Sequence, residues 1–242
     1  MNREQVVAAL PSWLTAKVPR DHRESDESFH RRRKVVVAVT VAGAGALGAS
    51  LRTKPASWQF YAATASVAGT WLAGGFASGP LHLGWMQARD ETFRRPVATP
   101  VLTGAAAFAG FYGCALVAKH IPVLDDAISS ILAYAHHGNT ALVLATTIAN
   151  GAAEEVFFRG ALYAAIGDQY PVALSTAAYG LATVTTRNPA LVLAATVMGI
   201  LFGAQRRASG GIQAPMLTHL TWSVLMLRYL PPLFRKSESA GS

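Results

Sequence analysis

The segment 140–166 is apolar apart from one cluster of charges, formed by Glu154, Glu155 and Arg159. No charged residue occurs at 140–153 or at 160–167, so the cluster lies far from both ends of the segment. A membrane-spanning helix needs about 20 predominantly apolar residues. Ionised groups at that depth are costly and mark functional sites. The segment therefore predicts one long membrane-embedded helix that carries a functional cluster.

The spacing within the cluster gives its charges different roles. On an α-helix Glu155 and Arg159 lie four residues apart on one face, in the order that favours an ion pair. Glu154 projects about 100° away from Glu155 and is expected to stay free. We interpret Glu154 as a reagent beside a structural pair. The competing interpretation is either a solvated turn at a helix end or a buried pair that only fixes helix packing, and the apolar Phe157 and Phe158 between the charges argue against it.

The charges of the whole chain are concentrated near its N-terminus. Hydrophobic residues make up 52% of the 242 residues and charged residues only 14%, and the first 34 residues are dense in charge. The sequence contains no visible internal repeat, and this length suits a single domain. We therefore expect a polar cytoplasmic N-terminal tail at 1–34, a membrane-embedded helical domain at 35–230 and a polar C-terminal tail at 231–242.

Candidate membrane-embedded helices occur along the whole apolar part of the chain. Several of these runs are rich in glycine, which allows helices to approach closely in lipid. The fold class that we predict is all-α, a polytopic transmembrane helical bundle with about seven membrane-embedded helices. The candidate runs are 35–51, 58–79, 97–118, a run that begins at 131 or 140 and ends at 166, 172–185, 190–205 and 212–230.

The basic residues predict the orientation of the chain. Three arginines and a lysine at 31–34 directly precede the first apolar run, which is typical of a cytoplasmic anchor under the positive-inside rule. We prefer this interpretation of the net charge of +8 to nucleic-acid binding, and we expect the first run to remain as an anchor rather than a cleaved signal peptide. The inner side would then also carry Arg89, Arg94, Arg95, Arg206 and Arg207.

Two further segments carry chemically useful side chains. The segment 210–219, GGIQAPMLTH, ends in His219, and Ser223 follows four residues later on the same helix face. A single histidine in an apolar helix is more often a packing residue, but its companions here favour a functional role. The segment 179–183, YGLAT, begins with Tyr179 and ends with Thr183. Alone, that segment would indicate only a helix interface of small residues.

Together these motifs resemble the CPBP family, which includes CAAX prenyl protease type II and bacterial bacteriocin-processing or self-immunity membrane proteins. The resemblance rests on the paired glutamates with an arginine four residues after the second, the aromatic-Gly-Leu-Ala segment 25 residues after Glu154, and the Gly-Gly-Ile-x-Ala-Pro-x-x-x-His segment. It covers about residues 135–230. The first and last motifs are fairly specific in combination, whereas the middle one is weak.

The resemblance implies an intramembrane endopeptidase in the plasma membrane of a bacterium, with lipid and a peptide or membrane-protein substrate as partners and no nucleic acid. It implies that Glu154 activates a water molecule and that Glu155 and Arg159 brace the site. His219 and Ser223 would stabilise the oxyanion. It also implies a divalent metal ion such as zinc, with Glu154 and His219 as ligands.

The chain departs from the family pattern at two positions. Thr183 stands where a histidine is usual, and Ser223 stands where an asparagine is usual. Threonine is neither an imidazole base nor a good zinc ligand, so water activation would fall on Glu154, with Tyr179, Thr183 and Ser223 lining the cavity. The sequence leaves two main functions open, an endopeptidase and a non-catalytic binding or immunity protein. A transporter is less favoured, because transporter halves usually repeat.

Overall fold

The computed structural model describes residues 24–88 and 92–234. Within these residues the chain forms eight helices, two strands of two residues each that pair antiparallel, β1 (Met86–Gln87) and β2 (Phe93–Arg94), and a short 3₁₀ turn at Pro231–Phe234. The predicted tails and Arg89 lie wholly or partly outside the described residues. The helices are α1 (Asp26–Ser50), α2 (Trp58–Ala77), α3 (Ala98–Ala118), α4 (Pro122–His137), α5 (Thr140–Ile166), α6 (Pro171–Val184), α7 (Pro189–Ser209) and α8 (Gln213–Tyr229).

The all-α membrane architecture is confirmed. Among the described residues, α1, α3, α5 and α7 are long and apolar enough to cross a membrane, and α6 is a shorter apolar helix. Each of the seven candidate runs coincides with a helix. The number of spans, the cytoplasmic N-terminus and the bacterial plasma membrane stay predictions.

Helix α1 begins earlier than its apolar run. Ser25 caps it, since the Ser25 Oγ accepts a hydrogen bond from the Ser28 backbone N–H, and Asp26 and Glu27 stabilise the positive end of the helix dipole. The basic residues at 31–34 therefore belong to a helix rather than to a tail. Within this basic group the Arg32 side chain is buried, and its Nη1 donates to Ser78 Oγ at 3.1 Å.

Helix α4 is an additional element that lies across one end of the bundle. Near one end of α4, the Asn188 side chain donates to the Ala127 carbonyl at 2.7 Å. Near the other end, the Tyr134 hydroxyl lies 2.9 Å from the Leu51 carbonyl and 2.8 Å from the Thr53 carbonyl. Since α1 ends just before these loop residues, both ends of α4 contact the same end of the bundle. The predicted alternative start at 131 therefore belongs to α4, and α5 begins at Thr140.

The packing of α1, α2 and α5 centres on Trp71. This side chain is fully buried, and its ring centroid lies 4.7 Å from that of Phe157 and 5.0 Å from that of Phe158. Helix α1 crosses it at Gly43, where an added Cβ would lie 2.2 Å from the Trp71 ring. A glycine is needed at this crossing because any side chain would overlap the indole.

We expect Gly43→Ala to lower the free energy of unfolding by about 1–3 kcal/mol, the usual cost of overpacking a filled core. The matched control is Gly45→Ala on the same helix, because an added Cβ there meets no atom within 4 Å. Thermal unfolding in detergent measures both variants. Equal melting temperatures for the two variants would contradict the close crossing at Trp71.

Candidate active site

Helix α5 changes its geometry at the charged cluster. The α-helical part ends at Glu154, and the segment Glu155–Leu162 is a π-helix in which every residue is buried. The sequence predicted an uninterrupted α-helix, so this is a correction. Single π-helical turns inside α-helices occur frequently at functional sites. Here the Arg206 Nε, from α7, donates to the Arg159 carbonyl at 2.7 Å and helps to satisfy the backbone of this segment.

Glu155 and Arg159 form the predicted ion pair. The Arg159 Nη1 donates to Glu155 Oε1 at 3.3 Å, and both side chains are fully buried. The His219 Nδ1 lies 2.9 Å from the same Oε1. Because an ionised carboxylate only accepts hydrogen bonds, the Nδ1–H of His219 is the donor, and in the neutral ring Nε2 is then an acceptor. His219 therefore pairs with Glu155, whereas the family resemblance implied that it shares a metal ion with Glu154.

Aromatic rings surround the buried guanidinium of Arg159. Its Cζ lies 4.5 Å from the ring centroid of Tyr179 and 5.0 Å from that of Phe202, distances at which cation–π attraction operates. The His219 ring stacks on Phe202 with centroids 4.7 Å apart. Among the described residues, Arg159 Nε and Nη2 and Glu155 Oε2 have no hydrogen-bond partner. Such buried polar atoms commonly mark a place for water or for a ligand.

Glu154 differs from Glu155 in both exposure and partner. Glu155 is fully buried, whereas Glu154 is only half-buried. The Tyr179 hydroxyl donates to Glu154 Oε2 at 2.5 Å. The expectation that Glu154 stays free was therefore wrong, because the neighbouring helix α6 supplies a partner. Within the described residues this bond uses one carboxylate oxygen and leaves Oε1 as an acceptor.

The structure thus joins five of the seven predicted site residues, Glu154, Glu155, Arg159, Tyr179 and His219, into one connected group, which we call the glutamate cluster. The other two predicted residues lie beside it. Thr183 is buried, and its Oγ1 donates to the Tyr179 carbonyl at 2.9 Å, so the hydroxyl is bound to its own helix. Ser223 is buried one turn after His219 on α8.

The donor set of the glutamate cluster does not fit a catalytic zinc centre. Such centres usually have three protein ligands, and among the described residues no group of three or more His, Cys, Asp or Glu side chains could hold a metal ion. A metal ion held by Glu154 and His219 stays a prediction.

Some residues that support the site were missed by the sequence analysis. Arg206 was assigned only to the inner side of the membrane; its side chain is buried, and its guanidinium lies 5.0 Å from the ring centroid of Tyr163. Behind His219, the Gln205 side chain donates to Thr218 Oγ1 at 2.8 Å, and that hydroxyl donates to the Pro100 carbonyl at 2.9 Å. The sequence signal for Gln205 and Arg206 is that these two adjacent polar residues lie at the end of the apolar run of α7.

The glycine segment before α8 joins two parts of the backbone. Gly210 ends α7 in the left-handed region, at φ 70°. A Cβ added to Gly211 would lie 2.1 Å from the backbone of Leu83 and Gly84, so only glycine fits there. The Ile212 backbone N–H then donates to the His82 carbonyl at 2.9 Å. This contact fixes where α8 starts, and therefore where α8 places His219 in the bundle.

A family model described as Type II CAAX prenyl endopeptidase Rce1-like matches residues 136–225. The matched range contains the entire glutamate cluster together with Thr183 and Ser223. It agrees with the resemblance drawn from the three motifs, which covered about residues 135–230. No match was found among curated proteins or among solved structures.

Proposed function

Because residues 136–225 form an Rce1-like domain in an all-helical integral membrane protein, we propose that the chain is an intramembrane endopeptidase that hydrolyses a peptide bond with a water activated by Glu154. The observation that carries this proposal is the connected glutamate cluster inside the bundle. Within it, Glu154 is half-buried and keeps one carboxylate oxygen as an acceptor, while Glu155 is fully buried and paired with a cation.

Glu154 is the better general base of the two glutamates. Glu155 Oε1 already accepts from Arg159 and His219, and an adjacent cation makes a carboxylate a poorer base. Glu154 keeps Oε1 for a water proton. In the proposed step this oxygen takes one proton as the water oxygen bonds to the peptide carbonyl carbon, and the carbonyl electron pair moves to the carbonyl oxygen. Collapse of this intermediate breaks the C–N bond, and Glu154 returns the proton to the amine.

The remaining members of the cluster orient the groups that react. Glu155 holds the His219 ring by its Nδ1 and leaves Nε2 as the acceptor that orients the attacking water. Arg159 compensates the charge of Glu155 and places a fixed positive charge near the developing oxyanion. Pre-organised charges of this kind stabilise a transition state in a site that excludes water.

The test uses the purified protein in proteoliposomes, prepared in water enriched in ¹⁸O. The probe is an S-farnesylated peptide that ends in a CAAX sequence, and the same peptide without the farnesyl group is its control. We expect mass spectrometry to find a shortened peptide whose new C-terminal carboxylate carries one ¹⁸O. A farnesylated probe that stays intact in the presence of the folded protein would contradict the proposal.

The second candidate function is a binding or immunity protein that keeps the site without the chemistry. The observation that favours it is Thr183, which stands where the family usually has histidine and whose hydroxyl is bound to its own helix. The same proteoliposomes separate the two functions. A non-catalytic protein would retain the farnesylated peptide without shortening it, whereas the endopeptidase would release a product.

A further inference from the structure

We propose that Tyr179 positions Glu154 in this chain, in a site where Thr183 supplies no imidazole. This inference rests on the proposed endopeptidase function and adds a residue to it. Tyr179 acts through Glu154, so it is a positioning residue. The observation that supports this inference is the 2.5 Å hydrogen bond from the Tyr179 hydroxyl to Glu154 Oε2. Such a length is typical of an O–H donor bound to an ionised carboxylate.

The Tyr179 ring is held on several sides. Phe158 packs against it with centroids 4.8 Å apart, and the Arg159 guanidinium lies 4.5 Å from its centroid. The Thr183 hydroxyl donates to the Tyr179 carbonyl one turn later on α6. Since ring and backbone are both held, the phenol oxygen has little freedom to move. Thr183 thus contributes to the site through the backbone of Tyr179 rather than by facing a substrate.

This contact has a direct consequence for the hydrolytic step. A carboxylate with one oxygen bound to a fixed donor cannot rotate freely, so Glu154 Oε1 is kept on the side from which the water proton arrives. After Oε1 has taken that proton, Oε2 still accepts from Tyr179, and the Oε1–H is held for transfer to the leaving amine. Orientation of a reacting group to within 1 Å is worth about 100-fold in rate.

The test compares Tyr179→Phe with Tyr134→Phe in the farnesylated-peptide assay. Both substitutions remove one phenol oxygen, and Tyr134 lies in α4 at the end of the bundle, where its hydroxyl contacts the loop carbonyls at 51 and 53. We expect Tyr179→Phe to lower kcat by about 10–100-fold with KM unchanged, because the ring still fills its place while Glu154 loses its orientation. Tyr134→Phe should leave kcat at the parental value.

The possible outcomes separate this inference from the proposed function. If the parental protein cleaves the probe and Tyr179→Phe retains the parental kcat, the positioning role is wrong and the endopeptidase stands. A Tyr179→Phe variant that loses kcat and folded yield together is then examined with 3-fluorotyrosine at position 179, which keeps the ring and alters the phenol. An unchanged profile of kcat against pH for that protein overturns the inference. A parental protein without any cleavage overturns both proposals.

Discussion

Replacing Arg159 with alanine is expected to lower the free energy of unfolding by about 3–5 kcal/mol, the usual cost of removing one partner from a buried ion pair. Glu155 is fully buried and would be left with only His219 as a partner. The substitution would also remove the guanidinium that packs against the rings of Tyr179 and Phe202. Since a typical domain is stable by only about 5–15 kcal/mol, we expect little folded protein in detergent.

Two matched variants separate the loss of the pair from the loss of a positive charge. Arg207→Ala removes an exposed arginine from the last turn of α7 and should keep the parental melting temperature. The double variant Glu155→Gln with Arg159→Gln removes both charges and leaves a side-chain oxygen for His219, so it should be more stable than Arg159→Ala. Folded yield and melting temperature measure all three variants. A parental melting temperature for Arg159→Ala would show that the pair contributes nothing to folding.

The parts of this fold that follow from local sequence were predicted well. Membrane-spanning helices need long apolar runs, and each such run is a helix in the structure. The contact between Glu155 and Arg159 was predictable because it depends on helix spacing alone. Close helix approach at the glycine-rich runs was predicted, but the sequence does not show that Trp71 is the side chain opposite Gly43.

The parts that depend on tertiary contacts could not be read from spacing. Tyr179 lies 25 residues after Glu154 and His219 lies 64 residues after Glu155, so no helical periodicity connects either pair. The family resemblance brought these residues into one site, but it gave no bonding pattern. As a result, Glu154 was predicted to be an unpaired base, and its hydrogen bond from Tyr179 was missed. The π-helix was also missed, because hydrophobic periodicity does not distinguish it from an α-helix over so few residues.

The surroundings of individual arginines could not be read from charge for a related physical reason. Arg32 and Arg206 were assigned to the inner side of the membrane, and in the structure both side chains are buried. Arg32 forms an ion pair with Glu24 and donates to Ser78 Oγ, and Arg206 donates to the Arg159 carbonyl. A positive residue near the end of an apolar run can face the lipid headgroups or the polar backbone of its own bundle. Sequence alone does not decide between these environments.

Replacing Glu154 with glutamine is expected to lower kcat/KM for the farnesylated peptide by about 10²–10⁴-fold or to abolish cleavage, in line with the loss of a general base. A glutamine amide has nearly the same shape, and its Oε1 can still accept from Tyr179, but it does not take up a proton from water. We therefore expect the folded yield and melting temperature to stay parental. The Glu154→Gln variant is thus expected to lose activity while it remains folded, whereas Arg159→Ala is expected to lose folded protein.

The most direct measurement is the rate of product formation by parental and Glu154→Gln proteins in matched proteoliposomes, with the melting temperature recorded for both. The proposed function predicts that the parental protein releases product with one ¹⁸O while the folded Glu154→Gln protein releases almost none. A folded Glu154→Gln protein that cleaves at the parental rate would contradict the assignment of Glu154 as the base that activates water.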